Sequence, residues 1–266
     1  INFFNINIVF NERAILWIIT LISIFSIPFS FKIKEQKDII RLEPVSSTFS
    51  LNKSYDWDLI FKAISPLILI SIGAGLTIPF VNLFFNSVFN FSSSDFSFLG
   101  SMTAILVFFS SLMVPTLKQK YGYWMTIVFV QGLSICCLVT LALTELFSHS
   151  HYAIYFAISA FVLRQPLMHM AHPSSNELMM NYVGKRNQEL ISALSSSLWS
   201  ASWFISAKIF EGLRILKFHY YEIFLITAFL YIIGVILYGV IINQFEKMQK
   251  LEKDKIIPLS GELNID

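Results

Sequence analysis

The sequence is dominated by continuous apolar runs, each long enough to cross a lipid bilayer as a helix. A hydrocarbon core of about 30 Å takes about 20 apolar residues at 1.5 Å per residue. Seven runs reach that length: residues 14–31, 61–91, 96–117, 123–147, 152–180, 190–210 and 221–245. None alternates with period two, so the reading is helices and not barrel strands. Of 266 residues, 55% are hydrophobic and 14% charged, with a mean hydropathy of +0.65, which no water-soluble domain of this size carries. An all-α membrane protein with seven transmembrane helices is expected.

Basic residues orient these helices. Fourteen Lys and Arg fall in the connections 32–62, 118–120 and 185–186 and after residue 245, against three (Arg13, Arg214, Lys217) on the opposite side. Cytoplasmic loops carry the excess of Lys and Arg. The long connection and the C-terminus are therefore assigned to the cytoplasm of a multi-pass protein of the cell's inner membrane. The only long polar stretch, 34–58, with Pro44 and a Ser/Thr cluster, reads as a linker. It divides the chain into an outer loop and the last helix of a preceding bundle (1–33), a six-helix bundle (59–245) and a cytoplasmic tail (246–266). The chain opens on Ile1 and a polar, Asn-rich stretch with no signal-peptide pattern, so a larger six-plus-six protein, with a missing N-terminal bundle, is expected. Cys136 and Cys137 are adjacent in an apolar run, where disulfide geometry is strained, and are read as buried small apolar residues.

The fifth run carries the residues least expected in lipid. Arg164 lies about 18 Å along the helix from Tyr152, near mid-depth, where an arginine costs about 2.5–3.5 kcal/mol on insertion scales. Its partner is either a substrate or coupling group in a cavity, or a carboxylate in a structural ion pair. Glu145 and Glu177 lie near the ends of their runs, far from that depth. Gln165, His169, His172 and Asn176, spaced i, i+4, i+7, i+11, share a face of a continuous helix, although Pro166 and Pro173 interrupt it. Two histidines without carboxylate or Cys companions are a weak metal signal, and no metal and no cofactor are expected.

Other runs add candidates. The second, at 31 residues, would rise about 46 Å and must break or tilt. Gly73, Gly75 and Pro79 mark it either as a moving, cavity-lining hinge or as a kinked helix with glycine at a close crossing. Asn82 lies near its outer end. A Ser-Ser-Asp cap at 93–95 opens the third run, and Gln131 in the fourth is read as an interhelical hydrogen bond. In the serine-rich sixth run, Trp199 and Trp203 form an aromatic wall for an apolar substrate or pack against a neighbour, and Lys208 pairs with Glu211 three residues on.

Several stretches resemble the C-terminal half of the major facilitator superfamily. GAGLTIPFVNLFF at 73–85 is similar to the family's seventh helix, and residues 14–31 to its sixth. LRQPLMHMAHP at 163–173 with GKRNQELISALSSSLW at 184–199 resembles the tenth helix, its loop and the start of the eleventh in bacterial drug-efflux-like members. The loop 115–124 stands where the family repeats its gate motif, but only Lys120 and Gly122 fit. Gln119 replaces the acid, and Tyr123 and Trp124 replace basic residues. The resemblance implies two six-helix bundles of inverted three-helix repeats rocking about a central cavity. The second, third, fifth and sixth runs would border that cavity. The function implied is secondary active transport and not enzymatic catalysis: proton-coupled efflux of a small amphipathic compound, with proton-symport uptake of a polar metabolite or a seven-helix receptor as alternatives. The implied partners are the lipid bilayer, a small-molecule substrate and protons, with no nucleic acid.

Overall fold

The computed structural model describes residues 2–3, 6–7, 12–24 and 55–261. The chain forms two compact units, 1–49 and 50–266. In the first, two-residue strands β1 (Asn2–Phe3) and β2 (Ile6–Asn7) pair antiparallel ahead of helix α1 (Glu12–Ile24). Most of the expected linker, 34–58, lies outside the described residues.

The second unit is helical throughout its described residues. α2 (Trp57–Thr77) leads through a 3-10 turn at Ile78–Phe80 into α3 (Val81–Phe89). α4 (Ser93–Tyr123), a π-helical turn at Trp124–Phe129 and α5 (Val130–Leu143) follow. Then come α6 (Ala153–Val183), α7 (Gln188–Ile215) and α8 (Tyr220–Gly261). These elements match the last six apolar runs in order. α8 runs past the expected start of the tail at 246 to Gly261, because nothing in QFEKMQKLEKDK breaks a helix.

Local chemistry sets these limits. Ser92 and Asp95 cap α4 reciprocally: the Ser92 hydroxyl accepts from the Asp95 amide at 3.2 Å, and the Asp95 carboxylate accepts from the Ser92 amide at 3.2 Å. Gly122, at φ 72°, kinks the chain in the last residues of α4, just before the π-helical turn, so the 51-residue stretch Ser93–Leu143 contains two of the expected runs. The overlong second run breaks at Pro79, inside the 3-10 turn, where the missing N–H removes an α-helical bond.

Three stretches are long and apolar enough to cross a membrane by length and composition: Trp57–Phe89, Ser93–Leu143 and Tyr220–Leu251. α6 and α7 have the length, but their His, Asn, Gln and Ser content lowers their hydropathy.

Packing follows one continuous order. α4 lies against α6, α6 against α5, α5 against α8, α8 against α2, and α2 against α7, while α6 also reaches α2 and α7. The five pairs along this order are exchanged among themselves when the first three elements (α2, α4, α5) are swapped with the last three (α6, α7, α8), although the lesser α6–α7 contact has no equally extensive α2–α4 counterpart. Two three-helix units packed about a pseudo-two-fold axis have that property.

Side chains at the crossings are small. A Cβ on Gly75 would lie 2.6 Å from Ser206 Cβ, and one on Gly73 2.7 Å from the Tyr231 ring. The Ser71 hydroxyl donates to Ser202 Oγ at 2.8 Å and the Ser206 hydroxyl to the Ile72 carbonyl at 2.8 Å, tying α2 to α7. At the 3-10 turn, Phe80 stacks on Phe210 with centroids 3.5 Å apart, and beyond it Phe161 meets Phe85 and Phe96 at 5.7 and 5.6 Å. Phe98, Phe108, Phe129, Phe156 and Phe229 are exposed on the outside of the bundle. A surface this apolar suits lipid and not water. Cys136 is exposed and Cys137 half-buried, both free, contrary to the expected burial: they lie on an outward face of α5, where an apolar thiol needs no protein cover.

Candidate functional site

α6 continues through both prolines, so the face suggested by its spacing exists. Gln165, His169, His172 and Asn176 all line one cavity of about 430 Å³. α2 adds Leu67, Ile70 and Ala74, α7 adds Trp199, and α8 adds Tyr231 and Tyr238. The His172 ring meets Trp199 edge-on with centroids 5.7 Å apart, and a ring nitrogen shares a 3.2 Å hydrogen bond with Asn176 Nδ2. A second hollow, of about 380 Å³, adjoins the first at Leu67, His172, Asn176 and Trp199 and extends along Ser195, Ser196 and Ser200 of α7.

Arg164 lies behind this wall. It is fully buried and does not line the cavity; its Nη2 donates to the Tyr231 hydroxyl at 3.5 Å, and its guanidinium carbon is 6.0 Å from the centre of that ring. Its Nε and Nη1 have no hydrogen-bond partner. Ser134 of α5 donates to its backbone carbonyl at 3.3 Å, holding α5 against α6 at that depth. No carboxylate among the described residues forms an ion pair with it: Asp58 pairs with Lys62, Glu177 with Lys118, Glu211 with Lys208, and Glu145 lies by His219.

The other sequence candidates fall elsewhere. Trp203 is exposed and touches the site only through Trp199, 6.4 Å away between centroids. Asn82 is exposed on α3 and does not line this cavity. Gly73 and Gly75 lie at helix crossings, and Pro79 in the 3-10 turn. Gln131 lines the cavity, and its buried carbonyl oxygen lacks the interhelical partner expected of it. Tyr231 and Tyr238 were not expected at the site. Their spacing of seven residues on an apolar run, which puts two hydroxyls on one helical face, was the available signal.

The lining is therefore mostly apolar and aromatic, with neutral hydrogen-bonding groups and no Asp or Glu. Among the described residues no group of three or more His, Cys, Asp or Glu is placed to hold a metal ion. The model of the Major Facilitator Superfamily matches residues 6–207. The chain belongs to the major facilitator superfamily. It is thus a membrane-embedded transporter. Comparison with curated proteins and with solved structures gives no significant match.

Proposed function

We propose that this transporter exports a small amphipathic compound by alternating access, driven by protons moving the other way. The observation that carries this is the cavity itself. Its size suits a small organic molecule, Trp199, Leu67, Ile70 and Met168 offer apolar and aromatic contact, and Gln165, His169, His172 and Asn176 offer neutral hydrogen bonds that fix orientation. A polar metabolite taken up by symport would leave much of that apolar wall uncompensated, which favours efflux. The five main helix pairings, exchanged among themselves when the two halves are swapped, support the inverted-repeat layout of a twelve-helix transporter. In this reading α1 is the last helix of an N-terminal bundle, residues 34–58 link the two bundles, and the C-terminus is cytoplasmic in a bacterial inner membrane.

The test is transport by the purified full-length protein in liposomes carrying a pH-sensitive dye. An imposed pH gradient should drive amphipathic compounds across, with matching proton movement. Uptake of polar metabolites down the same gradient, with no effect of amphipathic compounds, would reverse the direction assigned here.

A further inference from the structure

A guanidinium with no anion beside it is an unusual thing to bury. Arg164 is fully inaccessible, two of its three nitrogens have no partner, and the third makes one bond at 3.5 Å to a neutral hydroxyl. Desolvating an unpaired charge costs far more than a single bond to a phenol returns. What separates it from the cavity is Tyr231, whose side chain lines the cavity and meets the guanidinium with its hydroxyl. On the same wall, the Gln131 carbonyl oxygen is a buried acceptor with no donor. One anchor is thus short of acceptors and the other short of a donor, beside a cavity with no carboxylate in its lining.

We propose that Arg164 is the anion subsite of this cavity, and that the transported compound is an amphipathic organic anion, a carboxylate on an apolar or aromatic body. The carboxylate displaces the Tyr231 hydroxyl and takes the edge of the guanidinium, whose planar fork matches two oxygens. Trp199 and Met168 cover the apolar body. A hydroxyl or amide N–H on the same molecule donates to Gln131. A cationic compound finds no countercharge on this wall and meets Arg164 at close range, so it is excluded. This inference rests on the export reading above and narrows it to one charge class.

The test uses the full-length protein and three probes of nearly equal size: 3-phenylpropionate, its neutral amide and the corresponding primary ammonium. Binding is read as a change in tryptophan fluorescence that disappears in Trp199→Phe. The carboxylate should bind at least tenfold more tightly than the amide, and the ammonium more weakly than either. Arg164→Gln should abolish that preference and leave amide binding in place, while Arg164→Lys keeps part of it. Should Arg164→Gln fail to insert, Tyr231→Phe decides: it frees Nη2 of its phenol partner, so the carboxylate preference should hold or rise. Equal binding of carboxylate and amide would show the guanidinium already paired by an acid of the same protein, which overturns the subsite and leaves the amphipathic cavity standing. A preference that survives Arg164→Gln, or falls in Tyr231→Phe, also overturns it. Failure of all three probes to bind would remove the cavity reading itself.

Discussion

Gly75 and Ser206 meet where α2 crosses α7, so closely that a methyl group on the glycine would lie 2.6 Å from Ser206 Cβ and 3.3 Å from the Ser202 carbonyl. The Ser206 hydroxyl uses that approach to donate to the Ile72 carbonyl at 2.8 Å. A stiff contact of this kind suits a crossing about which two helices are held, and the break in the helix begins three residues on, in the 3-10 turn that holds Pro79.

Gly75→Ala should therefore lower the thermal stability of the purified protein, by about 1–3 kcal/mol as for an overpacked core. Ser206→Gly in the same chain makes room and should recover most of the loss, since the two sites share one contact. If transport falls in Gly75→Ala while stability does not, the glycine acts as a moving hinge and not as packing.

Orientation can be read by chemistry at two loops. With Cys136 and Cys137 replaced by Ala, a cysteine at Ser150, exposed between α5 and α6, should react with an impermeant maleimide added to intact cells. One at Lys185, exposed between α6 and α7, should react only after the membrane is opened. The opposite pattern would invert the topology assigned from the basic residues.

What could be read in the sequence was whatever one helix determines alone. The shared face of Gln165, His169, His172 and Asn176 and the break near Pro79 follow from spacing along a single element, as does the start of α4, whose cap expected at 93–95 falls one residue earlier, on Ser92 with Asp95. The unread part belongs to partners on other elements. Continuity of α6 through Pro166 and Pro173 could not be assumed, because each proline removes a backbone bond whose loss is made good only by neighbours. Tyr231 reaches Arg164 across 67 positions, and nothing local in either run announces that pair. Trp199 and Trp203 look equivalent in sequence, yet α7 turns one to the cavity and leaves the other exposed.

That difference between the tryptophans gives a third prediction. Trp199→Ala should weaken substrate binding about tenfold, a loss of about 1.4 kcal/mol, through lost aromatic contact. Trp203→Ala should change it by less than about twofold, since Trp203 reaches the site only through its neighbour. Equal effects from both, measured as KM with protein level held constant, would mean the wall extends beyond the cavity described.

Lys118 and Glu177 form an ion pair joining the C-terminal end of α4 to that of α6. The Lys118 ammonium also lies 4.9 Å from the centre of the Tyr123 ring, whose hydroxyl accepts from Asn181 Nδ2 at 3.3 Å. This cluster sits at the loop where Gln119, Tyr123 and Trp124 depart from the charged pattern expected there, so one lysine and an aromatic ring take the place of an acid and several basic residues. The side chains are 26% and 48% exposed, which limits the pair to about 0.2–1 kcal/mol. Lys118→Gln and Glu177→Gln should therefore each cost little in thermal stability but alter the transport rate, if the two helix ends must stay together during the cycle. The exchange Lys118→Glu with Glu177→Lys should restore the rate to most of the wild-type value, because the attraction survives although the ring loses its cation. An exchanged protein no faster than the single variants would place the effect of Lys118 on Tyr123, and would make the ion pair incidental to the cycle.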